Sequence, residues 1–215
     1  MVELPFEDRT QAGRLLARTL SGYARRRGVV VLALPRGGVP VAFEVARALE
    51  APLDVFLVRK LGVPGHEELA LGAIATGGAL VLDRGLIAAL GIPEEEITRV
   101  IASERAELSR RERLYREGRP LAVTGKTVIV VDDGVATGST MLAAITALAR
   151  EEPARIVVAV PVAPPDTAHR LRREVDELVT LAEPESFGAV GFWYRDFSPV
   201  ADAEVRELLR GREAA

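Results

Sequence analysis

The sequence predicts an α/β fold, a doubly wound and mainly parallel sheet, and three features carry that prediction. Apolar runs at Val29 to Leu34, Leu53 to Val58, Val128 to Val131 and Ile156 to Val160 are continuous rather than alternating, as in strands covered by helices on both faces. The first and third runs each lead into a loop of small residues and then a helical repeat, the strand-loop-helix unit of a parallel sheet. The 215 residues, 48% of them hydrophobic, suffice for one well-buried core, so residues 1–215 are expected to form a single domain.

In chain order, Asp8 and Gln11 have the spacing of a capping box and open a helix carrying Leu15, Leu16, Leu20 and Tyr23, predicted to end near Gly28. Val29 to Leu34 is the first strand, Pro35-Arg36-Gly37-Gly38 its loop, and Val39 to Leu49 the next helix. Leu53 to Val58 reads as a buried strand ending at Arg59-Lys60. Residues 61–126 hold material that a minimal doubly wound sheet does not need. Ala73 to Thr76 and Ala79 to Leu82, joined by Gly77-Gly78, predict a hairpin. A long helix then starts at Pro93, with Glu94, Glu95 and Glu96 at its positive dipole end and Ile97, Val100, Ile101 and Leu108 as its apolar stripe. Gly118-Arg119-Pro120 stops it. Val128 to Val131 is the central strand, Met141 to Ala149 a helix, and Ile156 to Val160 and Leu178 to Leu181 the remaining strands. The segment 183–200 changes character, holding Phe187, Phe192, Trp193, Tyr194 and Phe197, half of the aromatic residues.

The most informative stretch runs from Val128 to Thr140. The amides of Gly138, Ser139 and Thr140 fall at a helix N-terminus, where unpaired N–H groups and the dipole attract an anion. Asp132 and Asp133 stand just before that point and would repel a bare phosphate. Ribose hydroxyls, which donate to carboxylates, and a Mg2+ ion both satisfy the need for a neutral or cationic group between them. A Walker A loop requires Lys before Ser or Thr, whereas Gly138 is followed directly by Ser139, and no G-x-G-x-x-G fingerprint is present. The bland alternative, a connection whose glycines only turn the chain, leaves the acidic pair unexplained. Two further elements point the same way. Gly37 and Gly38 permit close backbone approach to a ligand beside the charge of Arg36. Arg59-Lys60 places two cations where a polyanion would be their counter-ion, the alternative being surface residues paired with Asp54 or Asp83.

The strand, acidic pair and small-residue loop from Val128 to Thr140 resemble the signature of the type I phosphoribosyltransferases. The resemblance implies a Mg2+-dependent glycosyltransferase of nucleotide metabolism, moving 5-phosphoribosyl from phosphoribosyl pyrophosphate (PRPP) to a nucleobase-like acceptor and releasing pyrophosphate. It assigns Ala136, Thr137, Gly138, Ser139 and Thr140 to the 5-phosphate, and Arg36, Gly37, Gly38, Arg59 and Lys60 to pyrophosphate. Asp132 and Asp133 hold the ribose diol and, with Arg59 and Lys60, carry the catalytic role; a metal would meet the two carboxylates through water. Residues 61–126 correspond to a flap, with His66, Glu67 and Glu68 as flap residues. Segment 183–200 corresponds to a hood, in which Phe187, Phe192, Trp193 and Tyr194 form the acceptor pocket or, with equal weight, pack against the sheet or a partner subunit. The family also implies a homodimer. Hypoxanthine-guanine members carry an Asp three residues past the second acidic residue, where this chain has Ala136. That departure leaves the acceptor open and keeps a second reading alive, a PRPP- or nucleotide-sensing regulator on the same fold.

Composition excludes other classes. A net charge of −3 gives no global field for nucleic acid, and Arg25-Arg26-Arg27 and Arg110-Arg111 read as solvated helix faces. No apolar run approaches the roughly 18 residues of a membrane span. There is no cysteine, and no secretory leader is visible at residues 1–11, so a cytoplasmic protein is expected. His66 fails the H-E-x-x-H metalloprotease pattern because position 70 is Ala.

Overall fold

A computed structural model describes residues 3–116 and 120–211, with Glu67 and Glu68 as backbone only. Asp8 caps the first helix, α1 (Arg9–Thr19), by accepting the Gln11 N–H at 2.7 Å, while the Gln11 side chain accepts the Glu7 N–H at 2.7 Å. The helix ends at Thr19 instead of near Gly28. Ser21 and Gly22 are poor helix formers, and the chain takes a short 3-10 turn over Ser21–Tyr23 before Gly28 reverses it at φ +78°.

The first parallel unit follows as β1 (Val29–Ala33), α2 (Gly38–Leu49) and β2 (Leu53–Val55). The expected strand Leu53 to Val58 is therefore two pieces. Phe56 N–H still bonds the Ala33 carbonyl, but the buried hydroxyl of Thr76 accepts the Leu57 N–H at 2.9 Å and the Leu57 carbonyl accepts the Thr76 N–H at 2.9 Å. Those bonds carry the chain into a second, antiparallel sheet of β3 (Val58–Val63), β4 (His66–Ala75) and β5 (Leu80–Leu82). Hydrophobicity cannot reveal the break, because Phe56 and Leu57 are buried on both sides of it. The β4–β5 hairpin turns where expected, through Gly77 at φ +84° and Gly78 at φ +82°.

Two helices close the insertion. The first, α3 (Arg84–Leu90), had no counterpart in the sequence prediction, although Asp83 caps it at the Leu86 N–H and Gly91 ends it in the left-handed region. The second, α4 (Glu94–Arg116), buries Leu108 and packs Ile97, Val100 and Ile101 on the core; its expected terminator, Gly118-Arg119, lies outside the described residues. The main sheet resumes with β6 (Thr127–Val131), α5 (Ser139–Leu148), β7 (Arg155–Val162), α6 (Pro165–Arg172), β8 (Glu177–Ala182) and finally α7 (Asp202–Arg210).

The five-stranded sheet has the order β2-β1-β6-β7-β8, all parallel. Both faces are covered, which is the doubly wound arrangement the apolar runs predict. Val29, Val31 and Ala33 of β1 face a cluster with α1, α2, α4 and α7, while Val30 and Leu32 face the opposite cluster with α5 and α6. Truncating the fully buried Ile129 to Ala would cost about 2–5 kcal/mol. Strand order reverses direction between β1 and β6. There the neighbouring strand ends Ala33 and Val131 stand in register, and the loops leaving them open the crevice where doubly wound sheets bind ligands. Among the described residues no helix is long and apolar enough to cross a membrane.

Candidate functional site

Two loops meet at this switch point, and glycine is what lets them touch. After β1 the chain passes through Pro35, a cis Pro35–Arg36 peptide, Gly37 and Gly38 into α2. A Cβ at Gly37 would stand 2.0 Å from Asp133 Oδ2, and one at Gly38 would stand 2.7 Å from the Val131 carbonyl oxygen. No side chain fits at either position. The diglycine loop therefore lies directly on the acidic pair that follows β6.

The two carboxylates differ in their surroundings. Asp132 Oδ1 accepts the Asp133 N–H at 2.9 Å. Asp133 Oδ2 accepts Arg9 Nε at 2.8 Å, both side chains being nearly buried at 13% and 11% exposure. Burial, then the charge of Asp133, pushes the Asp132 carboxyl well above the usual carboxylate range. Burial also raises Asp133, but its hydrogen bond and attraction to Arg9 work against that rise. The Tyr194 hydroxyl donates to the Asp133 carbonyl, and burial raises Tyr194 so that it keeps its proton.

Beyond the pair, the loop of residues 134–138 is shaped from behind. Gly134 admits no side chain, because a Cβ there would stand 2.6 Å from Val190 Cγ1. Thr167 donates to the Ala136 carbonyl at 2.7 Å and Arg170 donates to the Thr137 carbonyl. In a planar trans peptide the next N–H points opposite its carbonyl, so these bonds turn the amides of Thr137 and Gly138 outward. Gly138, at φ +75°, leads into α5 without a side-chain cap of its own, and the Ser139 N–H reaches the Thr137 hydroxyl at 3.5 Å, a long bond that an anion at this helix N-terminus could replace. Ala136, Thr137, Ser139 and Thr140 are exposed, with the Thr137 and Ser139 hydroxyls 3.0 Å apart. Asp132, Asp133, Gly37 and Gly38 are thus brought into contact, with Arg36 adjoining them in the chain and residues 136–140 following at the start of α5.

Arg59 and Lys60 are placed differently from expectation. They sit inside β3 rather than at the end of a parallel strand, and consecutive strand residues point to opposite faces. Arg59 Nε binds Glu104 of α4 at 2.6 Å. Neither alternative partner serves it, since Asp54 pairs with Arg116 at 2.9 Å and Asp83 caps α3. Lys60 is exposed on the other face, the one from which Val58 packs on the α5 cluster. Arg36 lies 3.7 Å from Asp202 at the start of α7, and Tyr115 of α4 donates to the same carboxylate. Burial, with Asp202 adding to it, pushes the Tyr115 hydroxyl up to about 12.

The hood is sewn to the beginning of the chain. Phe6 N–H bonds the Trp193 carbonyl at 2.8 Å, and the Phe6 ring packs on Tyr194 with centroids 5.4 Å apart. Phe187 is buried against Trp193, whose Nε1 donates to the Phe187 carbonyl at 3.0 Å. Phe187 and Tyr194 thus commit their rings to internal packing, whereas Phe192 is 75% exposed. His66 is exposed beside the Pro64-Gly65 turn that joins β3 to β4; the side chains of Glu67 and Glu68 lie outside the described ones. Arg9, Thr167 and Arg170 were not foreseen. Their charges and hydroxyls look like ordinary helix-surface residues, and only contacts across 124, 31 and 33 residues give them roles.

A diglycine loop, an acidic pair and a small-residue loop gathered at the switch point of a doubly wound parallel sheet define the class of α/β protein to which the chain belongs. Within that class the match is specific: the family model for phosphoribosyl transferase domains spans residues 7–192, and the chain belongs to this family. Proteins of two Mycobacterium tuberculosis strains, assigned provisionally by name to the phosphoribosyl transferases, are 45% identical over 205 residues, covering 95% of this chain and 46% of theirs. The chain thus spans about half the length of the curated relatives it matches. The crystal structure of TT1426 from Thermus thermophilus is 46% identical, with a TM-score of 0.85 over 96% of this chain and 98% of that one.

Proposed function

We propose that the protein transfers the 5-phosphoribosyl group of PRPP to a nucleobase-like acceptor and releases pyrophosphate. The observation that carries this reading is the contact of the diglycine loop with the acidic pair. A pyrophosphate-sized anion on Arg36, Gly37 and Gly38 and a 5-phosphate on residues 136–140 would then lie on either side of a diol-binding carboxylate. That sequence of groups is the layout of PRPP itself.

In this reading the amides of Thr137 to Thr140 anchor the 5-phosphate and fix the ribose. The acidic pair accepts the diol hydrogen bonds and stabilises positive charge growing on the ring as the C1–oxygen bond breaks. Arg36 and Lys60 offset the charge leaving on pyrophosphate, and Arg59 acts at one remove through its hold on α4. Phe192 is the ring free to stack on an acceptor, with Trp193 beside it. Among the described residues no group of three or more His, Cys, Asp or Glu side chains is placed to cage a metal. The donor set, two carboxylates of which one serves Arg9, fits Mg2+ that arrives on the substrate's phosphates and meets Asp132 or Asp133 through water. Bound there, the ion would neutralise pyrophosphate charge.

Incubation with PRPP, Mg2+ and a panel of purines, pyrimidines and related acceptors tests the reading. Acceptor-dependent release of pyrophosphate is expected; absence of both turnover and PRPP binding overturns it. Ala136, exposed where a purine-directed carboxylate would stand, favours a second reading as a PRPP- or nucleotide-sensing regulator in the cytoplasm. Saturable PRPP binding without turnover on any acceptor is its signature.

A further inference from the structure

Asp133 is hemmed in from three sides. Its Oδ2 lies 2.8 Å from Arg9 Nε and 2.0 Å from where a Gly37 Cβ would be, and its carbonyl accepts the Tyr194 hydroxyl. The carboxylate fills the crevice between α1 and the diglycine loop. Arg9 is itself held. Its Nη1 donates to the Ser198 carbonyl at 2.8 Å, and its guanidinium carbon sits 3.9 Å from the Phe197 ring centroid. Asp132 makes no hydrogen bond to a cation: Arg9 acts on it only at a distance, and its Cα and Oδ1 lie 2.9 and 3.1 Å from where a Gly38 Cβ would be. Among the described residues no ion pair engages it, and its carboxylate hydrogen-bonds to Asp133.

We propose that Arg9 divides the acidic pair into unlike halves: Asp133 becomes a strut that supports the diglycine loop from below, and Asp132 is left to receive the sugar diol. The inference rests on the phosphoribosyl-transfer reading above and assigns one role to each carboxylate where that reading uses them together. Arg9 is a positioning residue in this scheme. It touches no reacting atom, and it acts by fixing the carboxylate on which Gly37 rests. The guanidinium suits the task because its fork reaches Asp133 and Ser198 at once, which a lysine ammonium on a flexible stem cannot do with the same geometry. The same residue joins the loop to the hood through Phe197 and Ser198, so the placement of the pyrophosphate side depends on a segment 189 residues away in sequence.

The two halves of PRPP separate the roles. Calorimetry with ribose 5-phosphate and, separately, with pyrophosphate and Mg2+ measures each. Arg9→Ala and Asp133→Asn should each weaken pyrophosphate about tenfold or more while changing ribose 5-phosphate by less than about twofold, as loss of a buried charge pair moves the loop it supports. Asp132→Asn should do the reverse. The Arg9→Ala/Asp133→Asn double variant should be no worse than either single change, because both cut one link. Arg9→Lys should fall between the wild type and Arg9→Ala. Should Arg9→Ala not fold, Arg9→Lys and Asp133→Asn carry the same comparison. Equal losses on both ligands, no loss on pyrophosphate, or an Asp133→Asn profile matching Asp132→Asn overturns the inference while wild-type binding stands. A wild type that binds neither ligand overturns the functional reading, and the inference with it.

Discussion

The Thr167 hydroxyl donates to the Ala136 carbonyl at 2.7 Å, fastening the loop that follows the acidic pair to α6. Thr167→Val removes the donor, keeps the bulk, and leaves a part-buried carbonyl without its partner. Stability should drop by about 1–3 kcal/mol, read by denaturant unfolding, and the KM for PRPP should rise as the Thr137 amide loses its fixed direction. Unchanged PRPP kinetics would count against the loop being held by α6.

Gly37→Ala tests the contact between the loops. Gly37 has φ −60° and ψ −33°, so alanine carries no backbone penalty there, yet its Cβ would overlap Asp133 Oδ2. The variant should fold with unchanged circular dichroism and lose at least about a hundredfold in kcat/KM for PRPP, the loss expected when reacting groups shift by about an ångström.

Buried carboxyls at the site make stability depend on pH in a defined direction. Asp132 and Asp133 have folded values above their unfolded ones, so between those values the folded chain binds more protons than the unfolded chain, and stability falls as pH rises. The fall starts near the unfolded carboxylate value of about 3.9 and continues upward to the raised folded values. Asp132→Asn keeps an acceptor for the Asp133 N–H and removes the buried charge. Thermal melts from about pH 4 to 8 should therefore show a flatter profile and a higher Tm at neutral pH for Asp132→Asn, alongside lost turnover. A lower Tm at neutral pH would contradict the assignment.

Arg59 and Lys60 should separate in kinetics. The Arg59–Glu104 pair is partly exposed, so Arg59→Ala should cost about 1 kcal/mol or less and change the KM for PRPP by less than about threefold. Lys60→Ala should leave stability alone and raise that KM by about tenfold, the worth of one charge-assisted contact. Steady-state kinetics with PRPP as the varied substrate distinguishes the two.

The aromatic hood divides the same way. Phe187→Ala empties a packed site and should cost about 3–5 kcal/mol. Phe192→Ala, at an exposed ring, should stay within about 0.5 kcal/mol of wild type in stability and act on the acceptor KM instead.

Local signals made much of this fold legible. Continuous apolar runs marked β1, β6 and β7, the shorter run Leu178 to Leu181 marked β8, and the Gly138-to-Thr140 step marked the start of α5. Where a signal was absent, reading from sequence failed for a physical reason. The apolar run from Leu53 to Val58 looks uniform because both sheets bury it, and only the bond from Leu57 to Thr76 divides it. Asp83 and Gly91 did mark α3, as a cap and a left-handed stop, but seven residues give too little apolar periodicity to stand out. In the site, the groups that carry their own chemistry were visible: the acidic pair, the diglycine and the small-residue loop. Arg9 and Arg170 were not, since an arginine's meaning depends on what it meets, and both reach partners far away in the chain.

Strands β1 and β6 pair directly from Val29 opposite Thr127 to Ala33 opposite Val131, while residues 58–82, which lie between them in the chain, form β3, β4 and β5 in a sheet of their own. No backbone register is shared between the two sheets. The two meet through side chains instead, with Val58 and Ala75 of the hairpin layer packed on the α5 cluster. Changes in the hairpin layer therefore reach α5 through packing and leave the β1–β6 strand pairing untouched.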